Sequence, residues 1–183
     1  MNVEKTSFKD LLICTPTVFE DERGYFYESY KESNFLEKTG LSVSFVQDNQ
    51  SRSTYGVLRG LHFQTGEMAQ AKLVRVLEGE VLDVVVDLRK EEPTFGKSFS
   101  IILSETNKKQ LFIPRGFAHG FLVLSQKATF FYKCDNYYHK ESERGLKYND
   151  PSLEIDWQLD DKELILSEKD KYQPDFKTLL SHL

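Results

Sequence analysis

The sequence predicts a mainly β domain, a sandwich or barrel of the jelly-roll type. Short apolar runs of strand length follow one another closely, with no helical pattern between them. The breaks between these runs are rich in Gly, Pro, Asn and charged residues, which is typical of turns. The runs that predict strands are residues 42–49, 56–64, 71–79, 80–89, 99–104, 109–114, 119–125 and 128–138. Many short strands without intervening helices favour two packed sheets or a closed barrel.

Residues 81–88 show a third sign of this fold, an alternation with a period of two. The side chains at 82, 84, 86 and 88 are all Leu or Val, whereas the opposite face mixes valine with Asp83 and Asp87. Such a strand packs one face against a core and lines a polar cavity with the other. Asp83, on the mixed face, either orients His119 or lies at the surface, and the sequence favours neither.

Two short helices are predicted. Ser29 and Glu32 have the spacing of a capping box, and Gly40 stands where a helix would stop, so residues 30–39 are expected to be helical. Residues 174–183 form the second predicted helix. No linker or repeat divides the chain, and residues 1–183 are therefore expected to form a single domain.

Composition and charge exclude several partners. The formal net charge of −5 argues against nucleic acid. The N-terminal segment has no continuous apolar run of signal-peptide length, and no later segment is apolar enough to span a bilayer. Two cysteines, Cys14 and Cys134, make no disulfide framework and are expected to be reduced and buried. The sequence therefore predicts a cytoplasmic protein with neither a nucleic-acid nor a membrane partner.

A metal site is not expected. Metal-binding cupins, a common jelly-roll class, place two histidines one residue apart, then a glutamate, and a third histidine on a later strand. Here His62 is present, but Gln64 occupies the position of the second histidine and Lys72 stands near the position of the acidic ligand. His119 matches the histidine on the later strand. Because an ammonium group repels a divalent ion and offers no lone pair, this set makes a poor metal site. We expect the protein to use no metal and no other cofactor.

His62 is the natural candidate for a general base. The ordinary pKa of imidazole, about 6.5, leaves it mostly neutral near pH 7. A core histidine bonded to a backbone carbonyl is the alternative. However, Arg59, Gln64 and Lys72 lie close to it in sequence, and burying all of them without a ligand would be costly. The pattern favours a pocket that works by proton transfer.

Motifs along nearly the whole chain resemble those of one known family. They are FEDERGYFYESY at residues 19–30, FVQDN at 45–49, GVLRGLHFQ at 56–64, IPRGFAHGF at 113–121, FYKCDNYY at 131–138, YNDPSLEIDW at 148–157 and LSEKD at 166–170. The family is that of the dTDP-4-dehydrorhamnose 3,5-epimerases. The resemblance implies a metal-free enzyme with the cupin-type double-stranded β-helix, or jelly roll. It also implies a homodimer that inverts C3 and C5 of a dTDP-linked 4-keto-6-deoxyhexose.

The resemblance further implies four catalytic residues. The family's base matches His62, and its partner carboxylate matches Asp170, which would fix the imidazole tautomer. The proton donor matches Tyr132, and the lysine near the C4 oxygen matches Lys72. Both C3 and C5 adjoin the C4 carbonyl, so inversion through an enolate needs a base on one face and an acid on the other. From the residues alone, Tyr132 fits an aromatic core position equally well, and Lys72 fits a solvated strand edge.

The implied substrate-binding residues are spread along the chain. Tyr138 matches a tyrosine that stacks on the thymine ring, and arginine suits a diphosphate because its fork donates two hydrogen bonds. The other matches are Arg23, Glu28, Gln47, Asp48, Asn49, Arg59, Lys72, His119, Glu143 and Lys169. In such dimers the N-terminal strands extend the partner's sheet, so Arg23 and Glu28 are expected to serve the neighbouring subunit. Both, like Glu143, also fit ordinary surface charges.

Three other functions remain open. A mono-epimerase would keep the same residues but invert only C3 or only C5, or use another nucleotide. A non-catalytic sugar-nucleotide-binding cupin is disfavoured because His62, Tyr132 and Asp170 are all present. A metal-dependent cupin dioxygenase is disfavoured by Gln64 and Lys72.

Overall fold

The computed structural model describes residues 1–181 as a jelly roll of the cupin type, which confirms the predicted mainly β fold. The strands are β1 (Asn2–Lys5), β2 (Leu12–Thr15), β3 (Phe19–Asp21), β4 (Gly24–Phe26), β5 (Gln47–Thr54), β6 (Leu58–Gln64), β7 (Lys72–Glu78), β8 (Glu80–Asp87), β9 (Ser98–Ser104), β10 (Gln110–Ile113), β11 (Phe117–Val123), β12 (Lys127–Cys134) and β13 (Glu143–Gly145). The helices are α1 (Glu32–Thr39), α2 (Glu168–Lys171) and α3 (Phe176–Leu180), with short 3-10 turns at Gly66–Met68, Lys140–Ser142, Pro151–Leu153 and Asp161–Glu163.

The strands form two antiparallel sheets and one hairpin. The six-stranded sheet has the order β1-β2-β10-β7-β12-β5, the five-stranded sheet has the order β13-β6-β11-β8-β9, and β3 pairs with β4. From β5 to β8, and again from β9 to β13, the chain passes from one sheet to the other with each new strand. Residues distant in sequence therefore meet in the space between the sheets.

Strand β8 shows how the core is divided. Its mixed face points between the sheets, where Val81 and Val85 join the main hydrophobic core. Its apolar face, with Leu82 and Val84, packs in a second cluster with Trp157 from the C-terminal segment. Both faces are thus buried against apolar side chains, and Asp83 and Asp87 are the polar exceptions on the mixed face, each with no exposed surface.

Helix α1 begins two residues later than predicted, and the predicted capping box is wrong. Lys31 occupies the N-cap position and makes no side-chain cap. The carbonyl of Ser29 accepts a hydrogen bond of 2.7 Å from the Gln110 side chain on β10, so this part of the chain is tied to the sheet. The predicted stop is confirmed, because Gly40 has the left-handed conformation (φ 74°) and caps the helix.

The strand predictions fail where a strand is polar or short. The predicted strand at 42–49 overlaps only the start of β5. The observed strand is Gln47–Thr54, and none of its side chains is apolar. Its inner face carries Asn49, Ser51 and Ser53, because it borders a cavity and not the core. The residue patterns did not predict the N-terminal strands β1 to β4, which only the family resemblance implied, or the three-residue β13. The predicted tail helix corresponds to α3, and its last two residues, 182 and 183, lie outside the described part of the chain.

Two glycines allow β6 and β11 to approach closely. A Cβ atom on Gly120 would lie 2.7 Å from the Arg59 carbonyl oxygen, and one on Gly60 (φ 130°) would lie 2.5 Å from the Gly120 Cα atom. Only glycine fits such a contact between two backbones. The ladder is irregular at this point, and it sets His62 directly opposite His119.

Across residues 1–181, none of the helices combines the length and apolar character needed to cross a membrane.

Candidate active site

A cavity of about 570 Å³ lies between the two sheets. This volume is within the range of pockets that bind small organic ligands. Both sheets contribute to its walls, and seven of the residues predicted for the site line it: His62, Asp170, Tyr132, Lys72, Asn49, Arg59 and His119.

His62 and Asp170 form a hydrogen-bonded pair on one wall. His62 Nε2 lies 2.5 Å from Asp170 Oδ1, and the hydroxyl of Ser167 donates to Asp170 Oδ2 at 2.9 Å. Burial favours the neutral acid, but hydrogen bonds from His62, Ser167 and the Gly60 backbone outweigh it, so the pKa of Asp170 lies below its usual range. A charged Asp170 holds the proton on Nε2, and Nδ1 is then the ring nitrogen that can accept one from a ligand.

The lowered pKa of Asp170 predicts a pH-dependent contribution to stability. A carboxyl group whose pKa is depressed by folding stabilises the protein above its unfolded pKa of about 3.9, and that stabilisation is lost as pH falls through the folded pKa. Asp170→Asn is expected to cost about 1.5–3 kcal/mol at pH 7, the contribution of a hydrogen bond to a charged group. The cost should shrink below about pH 4. Urea unfolding of both proteins between pH 7 and pH 3 measures the difference.

A matched control is Glu105→Gln, which removes an exposed acid outside the cavity. Its effect on the unfolding free energy should be small at every pH. A cost of Asp170→Asn that stays constant from pH 7 to pH 3 would contradict the proposed charge state of the pair.

Tyr132 and Lys72 lie on the opposite sheet from His62. They come from the neighbouring strands β12 and β7, and the Lys72 ammonium lies 5.6 Å from the centroid of the Tyr132 ring. Burial raises the pKa of Tyr132 to about 12, so its phenol stays protonated at neutral pH. Burial also lowers the pKa of Lys72. This wall therefore offers a hydroxyl donor beside a lysine amino group.

A second histidine–carboxylate pair supports the floor of the cavity. His119 Nε2 lies 2.9 Å from Asp83 Oδ2, and both side chains are buried. The structure thus confirms that Asp83 orients His119, and the alternative of a surface position is wrong. Asp83 Oδ1 has no hydrogen-bond partner among the described residues, and burial raises the pKa of this carboxyl group despite the opposing effects of His119 and Lys72.

At the mouth of the cavity, four further predicted residues are joined by hydrogen bonds. Glu143 Oε2 accepts from the Tyr138 hydroxyl at 3.0 Å and from the Lys169 ammonium at 2.6 Å. Gln47 links this group to the cavity, because its Oε1 accepts from the Tyr138 amide at 3.0 Å and its Nε2 donates to Asn49 Oδ1 at 3.1 Å. The result is a polar rim with an exposed tyrosine ring.

Three predicted residues do not join the cavity of this chain. Arg23 lies in the β3–β4 hairpin, where it is highly exposed and bonded to Asp21. Glu28 is exposed just beyond the hairpin. Asp48 points away from the cavity and binds the Lys133 ammonium at 3.0 Å.

The expectation that Arg59, Gln64 and Lys72 are buried together around a ligand needs correction. Arg59 is exposed at the cavity wall, and its Nε donates to Ser53 Oγ at 3.0 Å. Gln64 is buried, but its side chain bonds to backbone groups of two loops and does not line the cavity. Only Lys72 matches the expectation in part, since it is partly buried in the wall.

Several residues that line the cavity were not predicted from the sequence. Ser51 lies two positions after Asn49 on β5, and Ser167 lies three positions before Asp170, whose amide it caps. Phe121 and Phe130 stack with ring centroids 4.2 Å apart and also face the cavity. The period of two would have found Ser51, Phe121 and Phe130 once Asn49, His119 and Tyr132 were chosen.

Cys14 and Cys134 are free and buried, as predicted. Within residues 1–181, no group of three or more His, Cys, Asp or Glu side chains is arranged to hold a metal ion.

Comparison with known proteins gives one consistent family. The family model described as dTDP-4-dehydrorhamnose 3,5-epimerase matches residues 5–178. The chain is 56% identical over 171 residues to the dTDP-4-dehydrorhamnose 3,5-epimerase of Escherichia coli (strain K12), which covers 93% of this chain and 92% of the relative.

Solved structures agree with this result. A dTDP-4-dehydrorhamnose 3,5-epimerase from Elizabethkingia anophelis NUHP1 superposes with a TM-score of 0.93 at 60% identity, over 97% of each chain. A dTDP-6-deoxy-D-glucose-3,5-epimerase from Legionella pneumophila Philadelphia 1, solved in complex with dTDP-4-keto-L-rhamnose, gives a TM-score of 0.94 at 49% identity. That match covers 99% of this chain and 95% of the other.

Proposed function

The chain belongs to the dTDP-4-dehydrorhamnose 3,5-epimerase family, a family of isomerases, and we propose that it acts in dTDP-L-rhamnose biosynthesis. It converts dTDP-4-dehydro-6-deoxy-D-glucose to dTDP-4-dehydro-L-rhamnose by inversion at C3 and C5. The observation that carries the mechanism is the position of His62 and Tyr132 on opposite sheets, facing one cavity. A base on one wall and a hydroxyl donor on the other match the two faces of an inverted carbon.

The proposed reaction removes one proton from each inverted carbon and adds another on its opposite face. The C3 and C5 protons are acidic because each carbon adjoins the C4 carbonyl. His62 takes the proton, the electron pair of the C–H bond passes into the enolate, and charged Asp170 stabilises the imidazolium. Tyr132 then donates its proton to the opposite face of the carbon. Lys72 supplies positive charge for the enolate oxygen, which is more effective in a partly dry cavity than in water.

The residues at the cavity mouth are proposed to bind the nucleotide. Tyr138 offers an exposed ring for the thymine base, and Arg59 offers a guanidinium group for the diphosphate. Glu143 and Lys169, which bond to each other, are proposed to contact the sugar of the nucleoside. Asn49 and His119 line the cavity beyond the rim and are proposed to orient the hexulose.

Hydrogen exchange with solvent tests this function directly. Incubation with dTDP-4-dehydro-6-deoxy-D-glucose in deuterated water is expected to place deuterium at both C3 and C5, and mass spectrometry with NMR measures it. Label at one carbon only would identify a mono-epimerase. Binding of the nucleotide sugar without any label would identify a non-catalytic binding protein. Activity is expected to survive a chelator, and loss that iron or zinc restores would indicate a metal-dependent enzyme.

The proposed functional unit is a homodimer with exchanged N-terminal strands. The β3–β4 hairpin exposes three large apolar side chains, Phe19 (63%), Tyr25 (58%) and Phe26 (71%). So much exposed apolar surface on a two-stranded hairpin favours contact with another chain. In this arrangement Arg23 and Glu28 reach the cavity of the neighbouring subunit.

Mixing two defective variants tests the exchange. Arg23→Ala and His62→Ala are each expected to lose activity at low substrate concentration, but a heterodimer would contain one cavity with both residues intact. Random subunit exchange should therefore restore about a quarter of the wild-type activity. No restoration in a mixture that sedimentation shows to be dimeric would contradict the contribution of Arg23 across the interface.

The proposed domain spans the whole chain, and the proposed location is the cytoplasm. Two free, buried thiols support a reducing compartment.

A further inference from the structure

The side chain of Gln64 joins two loops at the mouth of the cavity. Gln64 ends strand β6 and is only 7% exposed. Its Nε2 donates to the carbonyl oxygens of Met68 at 2.6 Å and Tyr137 at 3.1 Å, and its Oε1 accepts from the His139 amide at 2.7 Å. Both of its polar atoms are therefore fully used by backbone groups.

Two of these bonds, to the Tyr137 carbonyl and from the His139 amide, lie on either side of Tyr138 in the sequence. The Tyr137 carbonyl precedes Tyr138 and the His139 amide follows it, so the Gln64 amide holds the backbone on both sides. The Tyr138 amide is held separately by Gln47, and its ring remains more than half exposed. The peptide groups on both sides of Tyr138 are thus held by hydrogen bonds, while its ring is exposed to solvent. This arrangement presents the ring in a fixed position.

Other amide side chains tie the same loops together from positions before Tyr138, and one of them, Asn136, also accepts from the Tyr137 amide at 2.9 Å. Gln70 Nε2 donates to the Asn136 carbonyl at 2.8 Å, and Asn136 Nδ2 donates to the Glu67 carbonyl at 2.9 Å. Gln64 differs from them because it is buried and because its bonds hold the peptide groups on both sides of Tyr138. Its amide supplies both the donor and the acceptor that these bonds need.

We propose that Gln64 is a positioning residue for nucleotide recognition, which orders the 137–139 backbone before the ligand arrives so that Tyr138 is ready to stack on the base. This inference rests on the proposed function, in which Tyr138 contacts the thymine ring. A loop that is already ordered loses less conformational entropy on binding, and affinity rises accordingly. The base His62 is held by Asp170 and not by these loops, so the effect should fall on binding and not on the proton transfers.

The test compares Gln64→Leu with Gln70→Leu, a matched loss of one amide from the same pair of loops. For Gln64→Leu, the Kd of dTDP and the KM of the sugar nucleotide are expected to rise about tenfold, with kcat changed less than about threefold. Hydrogen exchange of the His139 amide should become faster, because its acceptor is removed. Gln70→Leu should change neither value appreciably. Equal behaviour of the two variants, or a fall in kcat at constant KM, would overturn the proposal.

Two further variants keep the result interpretable. Gln64→Glu retains the length and the acceptor for His139 but sets a carboxylate oxygen against the carbonyls of Met68 and Tyr137, so the same loss of dTDP affinity is expected even if Gln64→Leu folds poorly.

Tyr138→Ala alone should weaken dTDP binding, and adding it to Gln64→Leu should weaken binding little more. If Tyr138→Ala leaves the affinity unchanged, the stacking role in the proposed function fails. If it weakens binding but Gln64→Leu does not, only the positioning role fails.

Discussion

His62→Ala is expected to lower kcat for epimerisation at least about a thousandfold while the Kd of dTDP stays within about tenfold of the wild-type value. The variant removes the group that takes the proton and leaves the opposite wall and the mouth intact. Stopped assays by NMR measure turnover, and calorimetric titration with dTDP measures affinity. Deuterium incorporation into the substrate should be lost together with inversion, because no carbanion would form.

The cause of this loss can be separated from a disturbed fold. Added imidazole should restore part of the deuterium exchange in His62→Ala, since the alanine leaves space beside Asp170 in an open cavity. It should leave exchange unchanged and restore no inversion in Tyr132→Phe, where the natural imidazole is still present. Epimerisation within tenfold of wild type in His62→Ala would show that another group is the base.

Retained affinity is expected because Tyr138 and the side chains that hold it make no hydrogen bond to His62. His62 and Asp170 come from β6 and α2, whereas Tyr138 lies in the loop after β12 and is fixed by Gln47 and Gln64. The second histidine pair, His119 with Asp83, occupies the floor and is independent of Asp170. Removing the base therefore leaves the contacts proposed for the nucleotide unchanged.

Much of the barrel could be predicted from the sequence, because its strands bury apolar side chains at a period of two. Strand β8 is the clearest case. Most of strand β5 was not predicted, because its inner side chains face the cavity and are polar. A strand without apolar side chains shows no hydrophobic alternation. The hairpin β3–β4 was not predicted because its large side chains are exposed and join none of the hydrophobic core clusters found within residues 1–181.

The candidate site was only partly predictable from local sequence. His62 stood out because a histidine within an apolar strand is unusual, but its partner Asp170 lies 108 positions away, and only the resemblance to a family connected them. Gln64 was expected to be buried around a ligand, but its amide instead bonds to backbone groups that no sequence pattern reveals. Arg59 was expected to be buried because it sits in an apolar run, and the irregular β6–β11 ladder instead leaves it exposed.

Tyr132→Phe is expected to separate proton abstraction from inversion. Without the phenol, His62 can still remove a substrate proton, exchange it with solvent as the imidazolium, and return deuterium to the same face. Deuterium incorporation should therefore continue at a rate comparable to wild type, while formation of the inverted sugar falls about a hundred- to ten-thousandfold. Mass spectrometry measures deuterium incorporation, and NMR of the product measures inversion.

Tyr55→Phe, which removes an exposed hydroxyl bonded to Glu163, is the matched control and should behave as wild type. Equal loss of exchange and inversion in Tyr132→Phe would mean that the phenol is also needed to form the enolate, and unchanged inversion would mean that the proton comes from another group.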